Sequence, residues 1–231
     1  MKLTMKRTAL ALALAGVFSI ANASVLVAGT PTASVDVVAG NFGGTLVDSA
    51  ITLISNSSYN GIARTAVYDT GTGMDFYYQF SNNESSANGV ERFTGFNFSS
   101  LGTIAVNVFQ TNAAFGIFTT GSEKSDYADR TPTGVIGFNF VPNGHSPIDP
   151  GLTSYIEIIR TVGPRTIVPG NFGLLDGIGD NAKGFAPAVP EPATNALLLS
   201  GIGMIGFIGR RRLAKGVSGL LNQEGSGLAL A

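Results

Sequence analysis

Between Ala63 and Phe80 two β-rich runs stand on either side of a glycine turn, and that arrangement recurs along most of the chain. The first run covers Ala63 to Thr70 and the second Asp75 to Phe80, with Gly71-Thr72-Gly73 between them. Short runs rich in β-branched and aromatic residues, joined through glycine, read as a β-hairpin. Further runs lie at Ser34–Val38, Ile51–Ser55, Arg92–Phe98, Thr103–Thr111, Phe115–Thr119, Val135–Val141 and Tyr155–Val162. In Arg92–Phe98 the apolar Phe93, Phe96 and Phe98 slip once, at Gly95, which marks a β-bulge. Ile104, Val106 and Val108 share one face of their run. Strand signals spaced by roughly 10 to 15 residues, with no amphipathic helix pattern among them, predict an all-β domain, an antiparallel β-sandwich or jelly roll. Ser81–Gly89 and Gly121–Arg130 read as polar loops, and Phe185–Val189 as a short Pro-containing tether.

Composition agrees with many short strands and narrows the partners. Glycine is plentiful, at 31 residues, and the aromatic residues are Phe and Tyr with no Trp. A net charge of −1 and only 13% charged residues exclude nucleic acid as a partner. No cysteine is present, so no disulfide contributes to stability. Gly-Asn-Phe-Gly occurs at Gly40–Gly43 and again at Gly170–Gly173. Either two turns happen to use the same residues, or two related edge strands begin the same way. No further repeat lies between them, which excludes a solenoid.

The two ends of the chain differ from this body. Lys2, Lys6 and Arg7 form a positive n-region, Ala9–Ile20 an apolar h-region, and Ala21-Asn22-Ala23 a small-residue cleavage site before Ser24. That is the pattern of a secretory signal peptide. Near the other end, Pro190 and Pro192 hold Val189 and Glu191 extended. An apolar segment follows from Ala193 to Ile208, and then Arg210, Arg211 and Arg212. As a helix that segment spans roughly 24 Å, against a hydrocarbon core of about 30 Å. It reads as a short transmembrane helix whose arginines snorkel to the headgroups and stay cytoplasmic. The expected organisation is a signal peptide at 1–23, an exported β-domain at 24–188, a sorting and anchoring tail at 189–215 and a flexible extension at 216–231. The β-domain, about 165 residues long, is large enough to bury a sizeable core.

Val189-Pro190-Glu191-Pro192, an apolar segment and an arginine cluster, in that order, resemble the PEP-CTERM sorting tail of Gram-negative bacteria. The resemblance covers about 25 of the 231 residues. It implies recognition of Pro-Glu-Pro by a membrane peptidase of the exosortase type, transient residence in the inner membrane, and processing at the cell surface. It also implies association with exopolysaccharide or biofilm export. A tail of this kind is also attached to some ice-binding proteins, where an ice-binding protein C-terminal domain label describes the tail and implies no ice binding. Tails of the family stop soon after the arginines, whereas here a Gly/Ser/Leu-rich stretch follows them to Ala231. Some body stretches, such as Tyr77–Asn82 and Gly89–Phe96, also resemble exported bodies that carry this tail, and that likeness transfers no active site.

Catalytic chemistry is thinly represented. His145 is the only histidine, and no Gly-x-Ser-x-Gly elbow accompanies it. One histidine and no cysteine disfavour a zinc or copper site. Asp69 to Asp75 and Asp176 to Asn181 place carboxylates around glycine turns, as a calcium loop would, but Asp and Gly are also ordinary turn residues. Glu91, Glu123, Asp126, Asp129 and Glu157 are the carboxylates from which a glycosidase pair would be drawn. Gly201-Ile202-Gly203-Met204-Ile205-Gly206 matches the dinucleotide fingerprint by letter, yet it lies inside the apolar tail without a preceding strand. Glycines there let membrane helices approach closely. The expectation is a non-enzymatic surface protein with no catalytic residue, metal or cofactor. The alternative is a carbohydrate-binding module using exposed Tyr77, Tyr78 or Tyr127, and a secreted hydrolase is a third reading.

Overall fold

The computed structural model describes residues 23–39, 43–141, 146–163, 165–188, 197–202 and 204. The chain divides into two compact units, Met1–Pro187 and Ala188–Ala231. The first is a two-sheet β-sandwich. One sheet contains β1 (Ser24–Leu26), β3 (Asp36–Val37), β4 (Thr45–Ser55), β5 (Asn60–Asp69), β6 (Met74–Asn82), β8 (Val106–Thr111) and β11 (Ile156–Arg160), in the order β1-β8-β11-β6-β5-β4 with β3 also on β8. The other contains β2 (Ala33–Ser34), β7 (Arg92–Asn97), β9 (Tyr127–Arg130), β10 (Val135–Asn139), β12 (Thr166–Asp176) and β13 (Ile178–Ala188), in the order β13-β12-β7-β10-β9-β2. The registered pairs are antiparallel except for the short parallel contact of β3 with β8.

Turn chemistry sets the registers that the sequence suggests. β5 and β6 form the hairpin, with Asp69 opposite Met74. Gly71 sits at φ 86°, and a Cβ on Gly73 would fall 1.8 Å from the Thr161 carbonyl oxygen. The slip at Gly95 is a bulge: Ile136 opposes Phe96 while Phe138 opposes Phe93, so one extra residue of β7 is accommodated, with Gly95 at φ 92°.

Aromatic rings fill the space between the sheets. Phe76 meets Phe98 edge-on at 5.2 Å, Tyr78 meets Phe172 at 5.4 Å, and Phe93 touches both Phe140 and Phe172 at 4.8 Å. The other face of the larger sheet is covered as well. Residues between β8 and β9 lay Phe115, Ile117 and Phe118 over Tyr77, Phe109, Ile156 and Ile158. Buried Gln79 fixes that cover like a strand partner: its Nε2 donates to the Thr119 carbonyl at 2.7 Å and its Oε1 accepts from the Thr119 amide at 3.0 Å. Phe115–Thr119, expected as a strand, is therefore an apolar lid whose rings turn inward together. Two covered faces also explain why every residue from Met74 to Phe80 is buried, with no alternation.

Two other expectations are corrected. Ser34–Val38 is two strands separated at Val35, with β2 on the smaller sheet and β3 on the larger, so the N-terminal segment closes one side of the sandwich. Gly121–Arg130 ends in β9 rather than remaining a loop. There Arg130 occupies a buried position and donates to the carbonyls of Leu26, Ile104 and Gly102, so a charged residue stands where the pattern demands an apolar one. The runs read from the sequence do not include the hairpin β12–β13, which turns at Gly177 with φ 62°. Several of its glycines answer crowding between strands. A Cβ on Gly170 would lie 3.0 Å from the Phe185 backbone, and one on Gly184 2.9 Å from that of Asn171. The second Gly-Asn-Phe-Gly is thus strand interior; most of the first lies outside the described residues.

In the second unit, residues 197–202 and 204 are helical. Among the described residues no helix is long and apolar enough to cross a membrane. Most of the expected span from Ala193 to Ile208 lies outside them.

Candidate functional site

The chain reaches its C-terminal tail through β13, and the sandwich holds that strand to its end. Phe185, Ala186 and Pro187 are buried. The Tyr78 hydroxyl donates to the Phe185 carbonyl at 3.0 Å, and the Ser100 hydroxyl to the Pro187 carbonyl at 2.6 Å. The Lys183 carbonyl accepts from Thr65 at 2.9 Å, and its amide donates to Thr52 Oγ1 at 3.2 Å. Phe185–Val189 is therefore no tether over its described part: it is the end of an edge strand, a place where a proline is tolerated. At the other end, Ser24 is the first residue of β1 and pairs with Val108, while Ala23 packs against the ring cluster under the lid. Of the residues singled out by sequence, Ala21, His145, Val189, Pro190, Glu191, Pro192, Arg210, Arg211 and Arg212 lie outside the described residues.

The carboxylates proposed for calcium are committed elsewhere. Asp75 is buried and receives Arg160 through Nε at 2.7 Å and Nη2 at 2.6 Å, a side-on bidentate grip that holds the guanidinium more strongly protonated. Asp69 binds Arg165 and the Gly71 amide, and the bond from Arg165 keeps its carboxyl below the usual range. Asp176 accepts from the Ser58 hydroxyl, and Asp180 from the Asn181 amide at 2.7 Å. Among the described residues no group of three or more His, Cys, Asp or Glu side chains is placed to hold a metal ion.

Two of the glycosidase candidates are engaged within the fold. Asp129 is clamped by Arg92, with Nη1 at 2.6 Å and Nη2 at 2.9 Å, and by Asn139 at 3.0 Å. Glu157 is fully buried on β11; the Ser125 hydroxyl donates to its Oε2 at 2.9 Å, and its Oε1 has no hydrogen-bond partner. Burial pushes its pKa up to about 8, so it is protonated at neutral pH, but sealed from any substrate. The aromatic surface expected for carbohydrate binding is also corrected. Tyr77 and Tyr78 are buried, Tyr77 among Tyr68, Phe115 and Phe118 and Tyr78 against Phe172; Tyr127 is half-buried. Burial raises the pKa of both buried phenols.

Sequence reasoning missed the buried polar pair Gln110 and Ser125, which joins the N-terminal segment to the stretch before β9. Gln110 Nε2 donates to the carbonyls of Val35 and Ser125, each at 2.8 Å, and its Oε1 accepts from the Ser125 amide at 2.9 Å. Nothing local marks such an amide as buried.

No curated protein and no solved structure matches the chain. The family model described as the PEP-CTERM protein-sorting motif matches residues 188–212, a stretch that takes in Val189–Pro192 and Arg210–Arg212 and begins on the last residue of β13. A β-sandwich that runs without a spacer into this stretch is a cargo joined to its address: the chain carries a PEP-CTERM sorting motif, which supports exosortase-dependent sorting to the cell surface.

Proposed function

We propose that the chain is a non-enzymatic surface protein of a Gram-negative bacterium, whose β-sandwich is exported, held briefly in the inner membrane and released to the surface by an exosortase. The observation that carries this reading is the sorting motif at residues 188–212, which begins on the final residue of the last strand. In this reading Ala21 and Ala23 present the signal-peptidase site, and the mature domain starts at Ser24, the first residue of β1. Pro190 and Pro192 keep Glu191 in an extended segment that a peptidase can bind. Ala193–Ile208 anchors the chain weakly, and Arg210, Arg211 and Arg212 stop translocation by the positive-inside rule. The surface reached is an exopolysaccharide or biofilm matrix. Its role there is structural, supported by the burial of Tyr77 and Tyr78 and by the ion-paired state of Asp69, Asp75 and Asp129.

Fractionation and intact-mass measurement in hosts with and without an exosortase test the sorting step. With the peptidase, the surface form should begin at Ser24 and lack the residues after the motif. Glu191→Ala should insert normally but stay cell-associated with its tail retained. A wild-type surface form that keeps residues 193–231 in both hosts, and matches Glu191→Ala, would reduce the tail to a plain anchor. Matrix association is tested separately: the surface form should co-sediment with polysaccharide and be lost to the medium in a strain that makes none.

A further inference from the structure

Long edge strands invite pairing, and most proteins blunt them with charge, proline or bulges. β13 is protected in this way, carrying Asp180, Lys183 and Pro187. β4, at the far end of the larger sheet, is not. From Ser49 to Ser55 it has no charge, no proline and an unbroken ladder with β5; its single register shift lies earlier, between Leu46 and Asp48. Its other edge pairs with no described strand. Ile51 and Leu53, on the same face, are 59% and 78% exposed.

We propose that β4 is a self-association site, where Ser49–Ser55 pairs antiparallel with the same stretch of a second copy about a two-fold axis at Thr52. The occupant is argued from the strand itself. Ser49-Ala50-Ile51-Thr52-Leu53-Ile54-Ser55 is a palindrome in chemical class. In this register Ile51 faces Leu53 of the second copy, Ala50 faces Ile54, Ser49 faces Ser55 and Thr52 faces itself. The two most exposed apolar residues thus cover each other, and no like charges meet. Moving the axis to Ile51 sets Leu53 against Ser49, and moving it to Ala50 draws Asp48 and the bulge into the ladder. An isologous contact of this kind closes on itself, so it yields a dimer with two larger sheets joined edge to edge rather than a fibre. The inference rests on β4 alone and is independent of how the chain is sorted.

The absence of cysteine makes the register directly testable in the full-length chain in detergent. Thr52→Cys should give a disulfide-linked dimer on a non-reducing gel under mild oxidation. Ala50→Cys, which faces Ile54 in this register, should give at least tenfold less. Leu53→Lys, at an exposed position, should leave the circular dichroism unchanged and weaken the dimer by about tenfold or more in light scattering. A wild-type chain that is monomeric at high concentration overturns the proposal. So does cross-linking of Ala50→Cys equal to that of Thr52→Cys, or a dimer indifferent to Leu53→Lys, since association through the tail or with an unrelated strand would not read this register.

Discussion

Glu157 and Asp75 are both buried carboxyl groups on neighbouring strands, and their surroundings set opposite consequences. Glu157 has one hydroxyl donor, from Ser125, and its pKa rises from 4.5 to about 8. Between those values the native state holds a proton that the unfolded chain has released. Stability is therefore greatest below pH 4.5 and falls as pH rises through about 8, with a slope approaching about 1.4 kcal/mol per pH unit within the window. Glu157→Gln should remove that slope, leaving stability near pH 4 little changed and raising it at pH 8. Thermal melts across the window check this; an unchanged slope would assign the pH dependence elsewhere. Asp75 instead receives Arg160, whose guanidinium also lies 5.0 Å over the Phe109 ring. Asp75→Ala leaves a half-exposed cation without its acceptor and should cost about 2 kcal/mol in denaturant melts, less than for a fully buried pair because water reaches Arg160.

Among the elements, β13 departs most from its sequence pattern. Its end, from Phe185, reads as a tether, yet the strand is fixed by Thr65, Tyr78 and Ser100 and buries Phe185. If these contacts hold it, Phe185→Ala should destabilise the domain by about 3 kcal/mol, as removal of a buried ring does; a free tether would show no change in chemical denaturation. The hairpin β5–β6 was legible because its turn and its runs are both local. β12 and β13 were not, because Gly170, Gly173 and Gly184 are required by backbones of neighbouring strands that come close only in the folded sheet. The lid at Phe115–Thr119 failed for a related reason: its apolar spacing suits a strand, but its rings serve a sheet face that only the tertiary structure supplies.

At the scale of the whole molecule, the sandwich has one core between the sheets and a second under the lid, both built among the described residues from the strands and the lid. Residues 24–188 alone should therefore be soluble, give a strand-dominated circular dichroism spectrum and unfold in one cooperative transition. A helix-dominated or uncooperative trace would mean that the domain needs one of its ends. Placement of the termini also bears on delivery. The first strand begins at Ser24 and the last ends at Ala188, the residue at which the matched sorting motif starts.

The sequence alone determined the all-β class, the principal hairpin, the bulge at Gly95 and the sorting tail, because each is written in contiguous residues: a period of two, a glycine turn, or a motif read as an extended peptide. Tertiary structure decided which carboxylates were engaged, which tyrosines were hidden and which glycines were strand rather than loop. Asp75 and Arg160, or Tyr78 and Phe172, are far apart along the chain, and their charge and burial depend on neighbours brought together only when the two sheets close.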